Sequence, residues 1–162
     1  MEATPEPKKL AVLFVEDDEN DVEILKLTFK KLGRSDWLQV VRDGPSAIKY
    51  LEEITPALAS NGSRAPDLIV TDLKMPQMSG FEFLKWLHDT PRFSMIPTVV
   101  LSGSTMQKDV NLAYELGAKS YLTKPVDFVE YGKSIRTMLD FWLISRRPMG
   151  ASDVPHDQSR IE

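Results

Sequence analysis

The feature that most constrains this fold is an alternation. Five apolar runs of strand length, at residues 10–15, 37–41, 68–71, 98–101 and 120–123, are each followed by a segment with helical spacing and helix punctuation. After the first run, Asn20 with Glu23 three residues on reads as a capping box. Val22, Leu25, Phe29 and Leu32 then step by three and four, and Gly33 stops the helix. A second helix opens with Pro45 in its first turn, carries Ala47, Ile48 and Leu51, and dissolves in the long loop TPALASNGSRAP. A third starts near Gly80, carries Phe83, Leu84 and Leu87, and stops at Pro91; a fourth spans roughly Lys108 to Gly117. A fifth is capped by Asp127 with Glu130 and continues to about Ser145.

Repeated β-α units imply an α/β fold with a parallel sheet covered by helices on both faces. In such sheets ligands bind beyond the carboxyl ends of the strands, where the strand order reverses. Four of the five runs end in polar chemistry: the first in Glu16-Asp17-Asp18, the third in Asp72, the fourth in Ser102-Gly103-Ser104 and the fifth in Lys124-Pro125. The second ends in Arg42-Asp43-Gly44, which reads as a turn, and a strand order of 2-1-3-4-5 places it at the sheet edge, away from the others. Each piece has a plainer reading when taken alone. Acids favour helix starts, an aspartate can cap a turn, Ser-Gly-Ser is a common loop, lysines sit on surfaces and a strand tyrosine usually packs. Their placement together at one sheet edge is what points to a site. Asp72 is the pivot, because an ionised carboxylate at the end of the apolar run Leu68-Ile69-Val70 is costly unless cations or donors meet it.

Composition narrows the chemistry. At 162 residues and 42% hydrophobic, the chain fits one core, expected over residues 9–145 between disordered tails at 1–8 and 146–162. A net charge of −4, with no long block of Lys and Arg, argues against a nucleic-acid partner. No apolar run approaches the roughly 20 residues needed to cross a bilayer, so the expected location is cytoplasmic, with no membrane partner. The absence of cysteine excludes thiolate catalysis, disulfides and cysteine zinc sites, and His88 and His156 are too far apart in sequence to make a metal pair. Any metal is held by oxygen.

Four stretches, VLFVEDDEND, PDLIVTDLKMPQMSGFEFL, TVVLSGS and GAKSYLTKPVD, together resemble the receiver domain of bacterial two-component response regulators, over residues 9–142. The resemblance implies a flavodoxin-like, doubly wound five-stranded sheet of order 2-1-3-4-5. It implies an aspartate that accepts a phosphoryl group from a sensor histidine kinase in a Mg²⁺-dependent reaction. Carried onto this chain, Asp72 is the phosphoacceptor, Glu16 and Asp17 with Asp72 form the acidic metal site, and Lys74 offers a main-chain carbonyl. Lys124 and Ser102 assist the transfer, with Ser102 and Tyr121 as the switch pair. Ser102 stands where threonine is common and Lys74 where asparagine is frequent. The family also leads one to expect a cis bond between Lys124 and Pro125. Such a protein is no enzyme in the ordinary sense, since it catalyses only its own phosphorylation and dephosphorylation.

Electrostatics agrees with these roles. Carboxylates brought to within about 4 Å repel by roughly 4 kcal/mol per pair at an effective dielectric near 20, and an oxygen-seeking dication relieves that repulsion. Charge building on the transferred phosphoryl oxygens calls for positioned cations and donors, as Lys124 and Ser102 provide. A Mg²⁺-dependent phosphatase of related fold also uses an aspartyl nucleophile, but it carries an Asp-x-Asp pair after the first strand, and here Asp72-Leu73-Lys74 follows the third. The alternative is a phosphorylation-independent interaction module on the same fold, which has less reason to keep every acid and the lysine.

The stretches VEDDENDVEILK and KPVDFVEYGKSIRTMLDFWL, with the extended second-helix loop, most resemble small single-domain receivers paired with bacterial phytochrome-type histidine kinases. With no second domain expected after the receiver, output is expected through its own surface or a homodimer. On the last helix, Phe128, Ile135, Leu139 and Trp142 make one stripe for the sheet, leaving Val129, Phe141, Leu143 and Ile144 beside Arg146-Arg147 as an interface.

Overall fold

The computed structural model describes residues 9–54 and 65–146. The expected tails, apart from Arg146, and most of the long loop after the second helix lie outside the described residues. Strands β1 (Val12–Val15), β2 (Leu38–Val41), β3 (Leu68–Thr71), β4 (Thr98–Ser102) and β5 (Ser120–Thr123) alternate with helices α1 (Glu19–Lys31), α2 (Gly44–Glu53), α3 (Gly80–Asp89), α4 (Gln107–Glu115) and α5 (Phe128–Ile144). The strands form one five-stranded sheet in the order β2-β1-β3-β4-β5. Every pairing is parallel, with Val15 opposite both Val41 and Thr71 and Ser102 opposite Thr123, so all five carboxyl ends meet at one edge.

The pleat divides the core. Val12 and Phe14 of β1 and Val70 of β3 pack with Leu25 and Phe29 of α1 and Ile135 and Leu139 of α5 on one face. Leu13, Val15 and Ile69 pack with Ala47 and Leu51 of α2 and Phe83 and Leu87 of α3 on the other, and Val100 of β4 meets Leu84 and Ala113 there. Because β1 and β3 are buried on both faces, they read as continuous apolar runs rather than alternating ones.

Several boundaries differ from those read in the sequence. The helix α1 is capped by Asp18, whose Oδ1 accepts from the Asp21 amide at 3.0 Å, two residues before the expected Asn20. The Asp18 carboxylate reaches the orphan donors first, and that tightens the loop from β1 to three residues. The expected turn at Arg42-Asp43-Gly44 contains the α2 cap, since Asp43 accepts from Ser46. In α5 the buried positions are Tyr131, Ile135, Met138 and Leu139, whereas Phe128 is 65% exposed. Phe128 directly follows the cap Asp127, a turn too early to lie over the sheet, and Tyr131 takes that place. Leu143, expected to be surplus, packs partly against the first core cluster.

Candidate functional site

The sheet ladder sets the site. The Glu16 amide donates to Val41 O, the Asp72 amide to Val15 O and the Lys124 amide to Ser102 O, so each residue leaves its strand with its backbone held by a neighbour. Lys124 is thereby aimed at the carboxylates. Its Nζ donates to Glu16 Oε2 at 2.6 Å, to Asp21 Oδ2 at 2.8 Å and to Asp72 Oδ2 at 2.9 Å. An ammonium has three donors, and all three are taken. The Lys124–Pro125 bond is trans, contrary to the expected cis bond, and the lysine reaches the three carboxylates from that trans backbone.

Each acid has its own environment. The Asp72 Oδ1 accepts from the Leu73 amide at 2.6 Å, so its two oxygens are shared between its own turn and the lysine. Glu16 is 3% exposed, and its Oε1 accepts from the Asp18 amide at 3.1 Å. Burial pushes the Glu16 carboxyl up to about 7, although Lys124 pulls the other way. For Lys124, burial works against the charge, but the hydrogen bonds to Asp21, Glu16 and Asp72 overcome it and raise its pKa, so the lysine stays charged. Asp17 is exposed, and one oxygen each from Glu16, Asp17 and Asp72 lie within 4.8 Å of one another. Beneath them the Tyr131 hydroxyl is buried without a hydrogen-bond partner. Burial raises its pKa, while the nearby charges of Lys124, Glu16, Asp21 and Asp72 act on it.

The remaining sequence candidates lie along the next strand end. Ser102 is buried and its Oγ accepts from the Ser104 amide at 3.2 Å, while the Tyr121 hydroxyl donates to the Ser104 carbonyl at 2.8 Å. The Ser104 backbone therefore bonds to both residues expected as the switch pair. Lys74 is exposed and lines an open groove of about 520 Å³ with Ser79, Phe81, Ser104 and Asp109. Asp21 was not among the sequence candidates. An acid in the first turn of a helix reads as a complement to the helix dipole, and its lysine partner lies 103 residues away.

The family model for the response regulator receiver domain matches residues 12–136. The chain belongs to this family. It is 33% identical to Response regulator Rcp1 of Synechocystis over 132 residues, covering 82% of this chain and 88% of that protein. It is 31% identical over 140 residues to the probable methanogenesis regulatory protein FilR2 of Methanothrix harundinacea, covering 86% and 87% respectively. Among solved structures, the phosphorylated cyanobacterial phytochrome response regulator RcpA superposes with a TM-score of 0.77 at 29% identity, over 88% of this chain and 100% of its own. The Mn²⁺-bound form of Rcp1 superposes with a TM-score of 0.73 at 30% identity, over 86% and 99%. A cyanobacterial phytochrome response regulator is thus among its structural relatives.

Proposed function

We propose that this receiver takes a phosphoryl group on Asp72 from the phosphohistidine of a sensor kinase and signals through its own surface. One observation carries the reading: Asp72 belongs both to the three-carboxylate group with Glu16 and Asp17 and to the Lys124 ion-pair cluster. A nucleophile is thereby set between a cation site and a fixed cation. The donors of the acidic group are all oxygens, as Mg²⁺ requires, and Glu16, Asp17 and Asp72 with the Lys74 carbonyl are the residues that would hold it. When bound, the ion supplies charge neutralisation at the phosphoryl oxygens.

An Asp72 carboxylate oxygen attacks phosphorus as the P–N bond to the donor histidine breaks, and the imidazole leaves with the electron pair. Lys124, already 2.9 Å from Asp72, neutralises charge on the transferred group, and the Ser102 hydroxyl turns to donate to a phosphoryl oxygen, drawing its Oγ away from the Ser104 amide. That rotation would disturb Ser104, whose carbonyl holds Tyr121, and would carry the phosphorylation state to the β5 surface. The phytochrome connection of RcpA points to a phytochrome-type histidine kinase as the donor. Incubation with acetyl phosphate and Mg²⁺ is expected to add the mass of one phosphoryl group, and an unchanged mass with the metal shown to be bound would overturn the reading.

Metal binding is expected to depend on pH through Glu16. Its carboxyl, raised to about 7, must ionise before it can serve a cation. The Mg²⁺ affinity should therefore rise about fivefold from pH 6 to pH 7 and about twofold more by pH 8, where it flattens. Calorimetric titrations giving one constant from pH 6 to pH 8 would remove Glu16 from the site. The sign for stability is opposite. The folded state of the metal-free protein binds this proton more tightly than the unfolded chain, so the contribution is complete below the ordinary value of 4.5 and is lost as pH rises toward 7.

A homodimer through α5 is part of the proposal. Phe141 is 57% and Ile144 83% exposed, and Phe141 packs edge-on against Trp142 at 5.2 Å, so the helix end presents an apolar, aromatic surface. Sedimentation is expected to show a wild-type dimer at micromolar concentration and a monomer for Phe141→Glu/Ile144→Glu. A monomeric wild type, with and without phosphodonor, would eliminate the dimer.

A further inference from the structure

We infer that Asp21 is the positioning residue that keeps Lys124 at the reaction centre when the other two carboxylates on its ammonium are called away. The inference rests on the proposed phosphorylation of Asp72 and follows from counting donors. In the metal-free site Nζ spends its three hydrogens on Glu16, Asp21 and Asp72. Two of these acids, Glu16 and Asp72, also belong to the group that could hold a cation, while Asp21 does not. Once a cation and a phosphoryl group claim Glu16 and Asp72, two donors are released and one contact persists. The two freed hydrogens are the ones available to the phosphoryl oxygens, and the Asp21 contact fixes the direction in which they point.

Local structure suits Asp21 to this task. Its amide donates to the Asp18 cap at 3.0 Å, which pins the first turn of α1 against the end of β1. Its side chain is 22% exposed, against 4% for Glu16, so it reaches the lysine from the rim of the site rather than from its floor. The lysine it holds is 13% exposed and directly follows β5. A long aliphatic stem without this contact would have several rotamers open to it once Glu16 and Asp72 turned to the metal. The plainer role of a first-turn acid, favouring the helix dipole, needs no partner and gives no reason for a hydrogen bond to the catalytic lysine.

The test separates this role from metal binding, from helix capping and from failure of the phosphorylation reading itself. In the metal-free protein, the Lys124 side-chain ammonium should give an ¹⁵N-detected signal protected by its three partners, absent in Lys124→Met and broadened in Asp21→Asn. With acetyl phosphate and Mg²⁺, Asp21→Asn should be labelled about tenfold more slowly than wild type, and the double variant no more slowly than Lys124→Met alone. Asp21→Glu should recover part of the loss. The Mg²⁺ affinity of Asp21→Asn should stay within about threefold of wild type, whereas Asp17→Ala should lose far more. Wild-type labelling rates in Asp21→Asn, multiplicative effects in the double variant, or a loss of Mg²⁺ affinity matching that of Asp17→Ala would each overturn the inference. If the wild type is not labelled at all, the phosphorylation reading fails, and the ammonium signal alone still decides whether Asp21 holds Lys124.

Discussion

Asp72→Asn is expected to abolish the phosphoryl mass gain seen with acetyl phosphate and Mg²⁺, leaving less than about one part in a thousand of the wild-type rate. The amide keeps the shape of the carboxylate and can still accept from the Leu73 amide through its oxygen, so the turn after β3 survives. It loses the nucleophilic oxygen and the charge that holds Lys124 from 2.9 Å. The fold should tolerate the change, because removing one of four crowded acids relieves repulsion as it removes an ion pair. A melting temperature near or above that of wild type, together with no labelling, is the expected pair of results. Strong residual labelling would move the nucleophile elsewhere, with the exposed Asp17 as the next candidate.

The residues proposed as phosphoacceptor, metal ligands and lysine are visible in the sequence because they stand at strand ends, and strand ends follow from hydrophobic runs and turn residues. Glu16, Asp72, Ser102 and Lys124 each follow an apolar run, and a parallel sheet brings such positions together whatever lies between them. Asp21 does not follow a strand, so no periodicity marks it. It reaches the site because the Asp18 cap starts α1 immediately after the sheet and the first helical turn points an acid back over it. Reading Asn20 as the cap hid that turn by shifting the helix start two residues. The misreading of α5 has a related cause. The expected stripe includes Phe128 and does not include Tyr131, yet an amphipathic ring buries its body readily, and a residue directly after a cap has little sheet beneath it. Pattern alone finds where apolar residues recur, while the phase of a helix is set by its cap.

The second large effect is expected at Gly80, which touches no reacting group. It is the first residue of α3, buried, and its amide donates to Leu73 O at 2.8 Å, closing the turn that carries Asp72, Leu73 and Lys74. A Cβ at this position would stand 2.1 Å from Asp72 O and 2.7 Å from Leu73 Cα. Both are backbone atoms, so no rotamer change can make room, and the α3 start and the β3 end must separate by on the order of 1 Å. Overpacking of this kind typically costs about 1–3 kcal/mol, which for a domain of this size lowers the melting temperature by roughly 3–12 °C. The displaced turn holds the Asp72 carboxylate through the Leu73 amide and would offer the Lys74 carbonyl to a cation, so Gly80→Ala should slow labelling by about a hundredfold even where the protein remains folded. Serine, with the same Cβ, should behave like alanine. Loss confined to stability, with labelling at the wild-type rate below the melting transition, would show that the turn can yield without moving Asp72; an unchanged melting temperature would mean that the close approach of α3 to β3 is not a constraint on this fold.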